Sequence, residues 1–192
     1  MKFDLETLRQ MGFNMIRKHV KVEPQRWYYL CDKMGMLVWQ DMPSALNESS
    51  EDRLQFKWEL KAMVDHLFNH PSIVMWVPFN EGWGQHDTEF YVKELKDWDP
   101  TRPVNNASGW TDKGVGDVLD IHDYPGPSAP KMEADRASVL GEFGGLGLNV
   151  RGHQWTTNGW GYQLIESSDE LLARYEDLYR VLLPLVEKEG LS

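Results

Sequence analysis

Apolar and polar positions alternate along this chain with two periods, and the switches between them lay out its elements. Residues Asp4 to Met11 have helical spacing, with Leu5 and Leu8 on one face and Gly12 as the stop. Phe13 to Arg17 is a short strand. Pro24 to Met34 is a helix with proline at its first turn and Gly35 just past its end. Met36 to Gln40 is an apolar strand, and Asp41 to Ser50 a polar loop. Glu51 to Asn69 is a long amphipathic helix with Leu54, Trp58, Ala62 and Leu67 facing inward, closed by Pro71. A buried strand runs from Ile73 to Phe79. Thr88 to Lys96 is a helix with Asp87 at its N-cap. Pro103 to Ala107, Val118 to Ile121 and Val139 to Glu142 are short strands. Gly144 to Ile165 is a long loop rich in Gly, Trp and Asn. Ser167 to Glu170 forms a capping box that opens a helix from Ser168 to about Glu189, kinked at Pro184. Strands alternating with helices at these spacings predict an α/β fold, a parallel sheet with helices outside.

Composition narrows the class. The chain has 192 residues, 41% of them hydrophobic, enough for one domain with a true core, taken as residues 1–192. A formal net charge of −10 with scattered basic residues argues against nucleic acid and against an anionic membrane surface. No apolar run approaches the roughly 20 residues that cross a bilayer, and no apolar segment follows Met1 as in a signal peptide. Cys31, the one cysteine, excludes an internal disulfide framework and reads as a core residue of its helix. The 9 tryptophans suit a protein that stacks on flat apolar faces such as sugars present. Trp39, Trp58 and Trp76 read as core; Trp83, Trp110, Trp155 and Trp160 lie in loop-like contexts.

Two segments carry the chemistry. The strand Ile73 to Phe79 ends abruptly in Asn80-Glu81, followed by Gly82-Trp83-Gly84; Val139-Leu140-Gly141-Glu142 leads likewise into Phe143-Gly144-Gly145. A carboxylate where a buried strand opens onto a glycine-rich loop sits at a cavity mouth. Two of them suggest the paired carboxylates of a glycosidase. His66 and His70 have the i, i+4 spacing of some zinc sites, but no acidic residue of the metalloprotease pattern lies between them. Neither a phosphate loop nor a dinucleotide fingerprint is present, so no cofactor and no metal are expected.

These residues resemble the catalytic (β/α)8 (TIM) barrel of glycoside hydrolase family 2. Gly12 to Arg17 is similar to that family's second barrel strand, Trp27 to Trp39 to its second helix and third strand, Asn69 to Glu81 to its fourth-strand signature, and Leu140 to Gly144 to its seventh-strand segment. The resemblance implies an incomplete barrel, with strands 2 to 7 present and strands 1 and 8, one contiguous wedge, missing along with the accessory β-sandwich domains. It implies hydrolysis of β-glycosidic bonds by a retaining double displacement, with Glu142 as nucleophile and Glu81 as acid/base. It also implies Asn80 on the sugar 2-hydroxyl and Arg17 orienting the nucleophile. His19, His122, Tyr124, Trp83 and Trp110 are further substrate-binding candidates. His19 stands one residue closer to Arg17 than the family spacing, and His122 and Tyr124 compete for the contact to the nucleophile. The partner expected is a carbohydrate, with self-association through open barrel edges. Localisation stays open, periplasmic or extracellular being favoured over cytoplasmic. Two alternatives stand beside this reading: an inactive or merely sugar-binding fragment of such an enzyme, and an unrelated metal-dependent barrel hydrolase with Asp41, His122 and Asp123 as ligands.

Overall fold

A computed structural model of the chain describes residues 1–156 and 159–192. It divides into two compact units, Met1–Val118 and Leu119–Ser192. In the first, helix α1 (Lys2–Gln10), strand β1 (Met15–Lys18), helix α2 (Gln25–Met34), strand β2 (Leu37–Asp41), helix α3 (Ser50–Leu67), strand β3 (Ile73–Val77) and helix α4 (Thr88–Trp98) alternate as the pattern predicts. The sheet order is β1-β2-β3, all parallel, with Arg17 opposite Trp39 and Asp41 opposite Val77. Parallel strands joined through helices bury both faces, which is why β3 can be apolar from end to end.

Local signals explain most boundaries. Pro24 precedes α2, and Gly35 ends it in the left-handed conformation at φ +68°, where a Cβ is disfavoured. Ser49 accepts the N–H of Asp52, and Asp52 reaches back to the N–H of Ser49, a complete capping box at α3. Asp87 does precede α4, but its own backbone is left-handed and its side chain makes no cap bond.

The core of this unit lies between β3 and the helices: Tyr28 and Cys31 of α2, Phe56, Leu60, Val64 and Leu67 of α3, Ile73 and Trp76 of β3, and Leu95 of α4. Each fully buried large side chain contributes about 2–3 kcal/mol. Cys31 lies in this core, its thiol pushed up to about 12 by burial. Trp39 and Trp76 are buried, as expected. Beneath the sheet, Asp99 is a polar hub. It accepts Trp76 Nε1–H at 2.9 Å, the Thr101 N–H at 3.0 Å and Arg102 Nη1–H at 2.5 Å. Burial alone would raise its pKa; the donors from Thr101, Arg102 and Trp76 outweigh this and hold it low.

Three expectations are corrected. Helix α3 buries Phe56, Leu60, Met63 and Val64 with Leu67, whereas Leu54, Trp58 and Ala62 face solvent, Trp58 being 62% exposed. Apolar residues stand on two sides of this helix, so helical periodicity fits two registers. The segment Pro103 to Ala107 is no full strand: Val104 bridges Trp76, and Ser108 beyond it bridges Asn80, both in parallel. The predicted loop Gly144 to Ile165 contains a short parallel pair, strands β6 (Leu146–Leu148) and β7 (Gln163–Ile165). Residues 157 and 158 of that span lie outside the described residues.

The second unit places strand β4 (Val118–Asp123) beside strand β5 (Ala137–Phe143), adds the β6-β7 pair, and closes with helix α5 (Ser168–Glu189). Ser167 caps α5 by accepting the Glu170 N–H at 3.1 Å; the Glu170 carboxylate accepts from Glu166 rather than from Ser167, so the box is half formed. None of the residues of α5 is buried. Among the described residues, no helix is long and apolar enough to cross a membrane.

Candidate active site

In the first unit the site is built where β3 runs out. The Phe79 carbonyl accepts the Ser108 N–H at 3.0 Å, and Glu81 N–H donates to the Ser108 carbonyl at 2.9 Å, which carries the ladder through Asn80 to Glu81. The chain then turns sharply. Glu81 has φ +50°, a left-handed conformation uncommon in a residue other than glycine, and Gly82 follows at φ +81°. The turn is braced from below, because Phe79 stacks on Phe56 at 5.2 Å and His86 and Tyr91 meet both rings edge-on. His86 Nδ1 lies 2.8 Å from the Gly84 carbonyl and Nε2 lies 3.0 Å from the Tyr91 hydroxyl. A carbonyl can only accept, so the proton is assigned to Nδ1. Gly84 is pressed against the β2–α3 loop: a Cβ there would come 1.8 Å from the Ala45 carbonyl oxygen. Asn47 Nδ2 donates to the Gly84 carbonyl from that same loop at 2.9 Å.

Asn80 is 1% exposed. Its Oδ1 accepts from Arg17 Nη2 at 2.7 Å, and its Nδ2 has no hydrogen-bond partner among the described residues. Arg17, at the end of β1, also grips Asp41 at the end of β2. Its Nε lies 3.2 Å from both carboxylate oxygens, and Nη2 donates to Oδ2 at 2.8 Å. Asp41 is itself 1% exposed and accepts the Val20 N–H at 3.2 Å, and His19 Nδ1 stands 3.4 Å away. The metal-dependent alternative needs Asp41 as a ligand, and the Arg17 cation already occupies that carboxylate. His19 meets Trp83 edge-on at 6.0 Å, so Arg17, His19, Asn80 and Trp83 are neighbours at one strand-end rim. Trp110, on the loop after Ser108, is exposed. His70 lies beyond the end of α3 and pairs with Asp32 at 2.7 Å, which removes the zinc spacing with His66.

In the second unit the candidates converge on Glu142. Tyr124 donates its hydroxyl to Glu142 Oε2, and His122 Nε2 stands 3.5 Å from Oε1, with its own side chain fully buried. The two residues that compete for one contact in the sequence reading therefore address different oxygens of one carboxylate. Glu142 is aimed by its strand. Gly141 N–H donates to the buried Asp120 at 2.6 Å, and a Cβ at Gly141 would meet both Asp120 oxygens at 2.5 Å. Tyr162, half-exposed, stacks on Tyr124 with ring centroids 4.0 Å apart. The Glu142 carboxylate thus accepts from Tyr124 at one oxygen and faces the His122 ring at the other.

Sequence reasoning missed Asp41 as the partner of Arg17, along with Asp120 and Tyr162. Asp41 ends an apolar strand just as Glu81 and Glu142 do, and that signal was readable. Nothing local marks Tyr162.

The family model described as glycosyl hydrolases family 2, TIM barrel domain, matches residues 1–134. A β-galactosidase of Enterobacter cloacae is 32% identical over 148 residues, 68% of this chain and 14% of that protein. A β-glucuronidase of Bacteroides fragilis is 35% identical over 120 residues, 55% of this chain and 17% of that protein. Among solved structures, a family 2 β-galacturonidase from Eisenbergiella tayi bound to galacturonate superposes with a TM-score of 0.56 at 27% identity, covering 65% of this chain and 25% of that one. The chain thus spans about one seventh of the length of the E. cloacae relative.

Proposed function

From the premise that this chain belongs to glycosyl hydrolase family 2, its TIM barrel domain, we propose that it supplies the catalytic carboxylates of a retaining β-glycosidase. Glu142 attacks the anomeric carbon while Glu81 protonates the departing glycosidic oxygen. Glu81 then takes a proton from water, which displaces Glu142 from the glycosyl-enzyme. The first proton leaves on the aglycone, the water hydroxyl ends on the anomeric carbon, and the water proton restores Glu81. Retaining enzymes hold such carboxyl groups about 5–5.5 Å apart.

Asn80 donates its Nδ2–H to the sugar 2-hydroxyl, and Arg17 holds the Asn80 side chain for that contact. His19, Trp83 and Trp110 line the sugar subsite. Strands β1, β2 and β3, the bridged segment at Val104 to Ser108, and strands β4 and β5 are read as the second through seventh strands of the barrel. The substrate is a carbohydrate with a β-linked terminal sugar.

The observation that carries this reading is the Glu142 carboxylate held by Tyr124 at one oxygen and faced by His122 at the other. A mechanism-based 2-deoxy-2-fluoro β-glycoside tests it in the full-length protein. Covalent labelling is expected on Glu142, and Glu142→Ala and Glu81→Ala are each expected to abolish turnover. Normal hydrolysis by either variant rejects the assignment.

A further inference from the structure

The short β6-β7 pair has no role in the scheme above, yet it determines what stands beside Tyr124. Gln163 N–H donates to the Gly145 carbonyl at 3.3 Å, and the strands then run parallel with Leu146 opposite Gln163. This register brings Tyr162 back beside Gly145, three residues past Glu142. The Tyr162 and Tyr124 rings lie 4.0 Å apart at 16° from parallel, and Trp160 meets Tyr162 edge-on at 5.2 Å. Gly145 makes room for the stack. A Cβ there would come 2.5 Å from Tyr162 Cδ2 and 3.1 Å from Tyr124 Cδ1, and its φ of +64° already favours glycine. A bare glycine backbone, a strand pair and an outer indole thus all serve one ring–ring contact, and the inner ring of that contact donates its hydroxyl to Glu142.

We propose that Tyr162 is a positioning residue for the reaction: its ring clamps the face of Tyr124 so that the Tyr124 hydroxyl stays aimed at Glu142 Oε2. The inference rests on the reading of Glu142 as nucleophile. Without the clamp, the Tyr124 ring gains freedom, and a donor that must be in place before charge moves is in place for a smaller fraction of the time.

The test is a double-mutant cycle in the full-length protein with Tyr162→Ala, Tyr124→Phe and both together. Two rates are read: kcat/KM on the aryl β-glycoside it hydrolyses, and inactivation by the matching 2-fluoro glycoside, which reports attack by Glu142. Tyr162→Ala is expected to lower both by about tenfold, the worth of a good aromatic pair. In the Tyr124→Phe background the same change is expected to cost less than about twofold, because the hydroxyl it positions is gone. Tyr162→Phe, which keeps the stack, is expected to restore wild-type rates. Equal losses in both backgrounds, or no loss from Tyr162→Ala, overturn the proposal. Should the alanine variant not fold, Tyr162→Leu, which keeps bulk without a flat face, replaces it with the same expectations. Labelling on Glu142 at an unaltered rate in the variant refutes only the role of Tyr162. Absence of labelling on Glu142 in the wild type refutes the nucleophile and the clamp together.

Discussion

Replacing Arg17 by methionine tests the strand-end network most severely. The guanidinium is 11% exposed, and the Asp41 carboxylate it grips is 1% exposed. After the substitution Asp41 keeps the Val20 N–H at 3.2 Å and the His19 ring nitrogen at 3.4 Å, but loses its fixed positive charge. Breaking a buried pair by removing one partner costs about 3–5 kcal/mol, because the other charge stays behind in a poor solvent. Asn80 Oδ1 also loses its donor, worth about 1 kcal/mol more. Since Arg17 is not wholly buried, water can partly replace it, and the lower end of the range, about 3 kcal/mol, is expected. In a unit of this size that corresponds to a fall in Tm of about 10 °C. The double substitution Arg17→Met with Asp41→Leu removes both charges and is expected to recover stability to within about 1 kcal/mol of wild type. Activity should behave differently. Both variants leave Asn80 unheld, and a misplaced contact of this kind costs about 100-fold in kcat/KM. Near-UV circular dichroism during heating and steady-state hydrolysis of an aryl glycoside separate the two effects. If the single variant melts within 1–2 °C of wild type (below about 1 kcal/mol), the buried-pair reasoning fails. If the double variant regains activity along with stability, Arg17 does not orient the site.

Two further expectations follow from the first unit. Asp99 has a folded-state pKa below its unfolded value, so its contribution to stability is fully present above about pH 4 and is lost as pH falls through the folded value. Asp99→Asn should therefore lower the urea midpoint at neutral pH and flatten its decline below about pH 4; parallel curves for variant and wild type would contradict the hub. Gly84→Ala puts a methyl group 1.8 Å from the Ala45 carbonyl at a residue with φ +60°, and should cost at least about 2 kcal/mol in urea unfolding together with most of the hydrolytic activity; an unaffected variant would show that the β2–α3 loop yields freely.

Much of this arrangement was legible in the chain because its strongest signals are local. Pro24 and Gly35 bracket α2, Ser49 and Asp52 start α3, and the short unbroken apolar run from Ile73, just after Pro71, reads as a buried strand. What escaped was tertiary. Whether Trp58 or Phe56 faces inward depends on which side of α3 meets β3, and both sides are greasy enough to qualify. The β6 and β7 strands are three residues each, too short to show a period of two. Asp41 can be noticed as a strand-end carboxylate, but that its partner is a guanidinium 24 positions earlier is a fact of register between β1 and β2. Asp99 and Arg102 look like surface charges in a Pro-rich turn, and only Trp76 above them makes the pair a hub.

The clamp on Asn80 has a chemical corollary. A guanidinium has no lone pair to offer, so the amide atom it touches must be oxygen, and the orientation of that side chain is decided rather than merely chosen. Its far end then shows hydrogens and nothing else. A group seated there has to bring electron density: a hydroxyl fits, while a protonated amine on the same ring carbon would set hydrogen against hydrogen. One arginine, two strands away in the sheet, thereby decides which polarity Asn80 offers to a ligand.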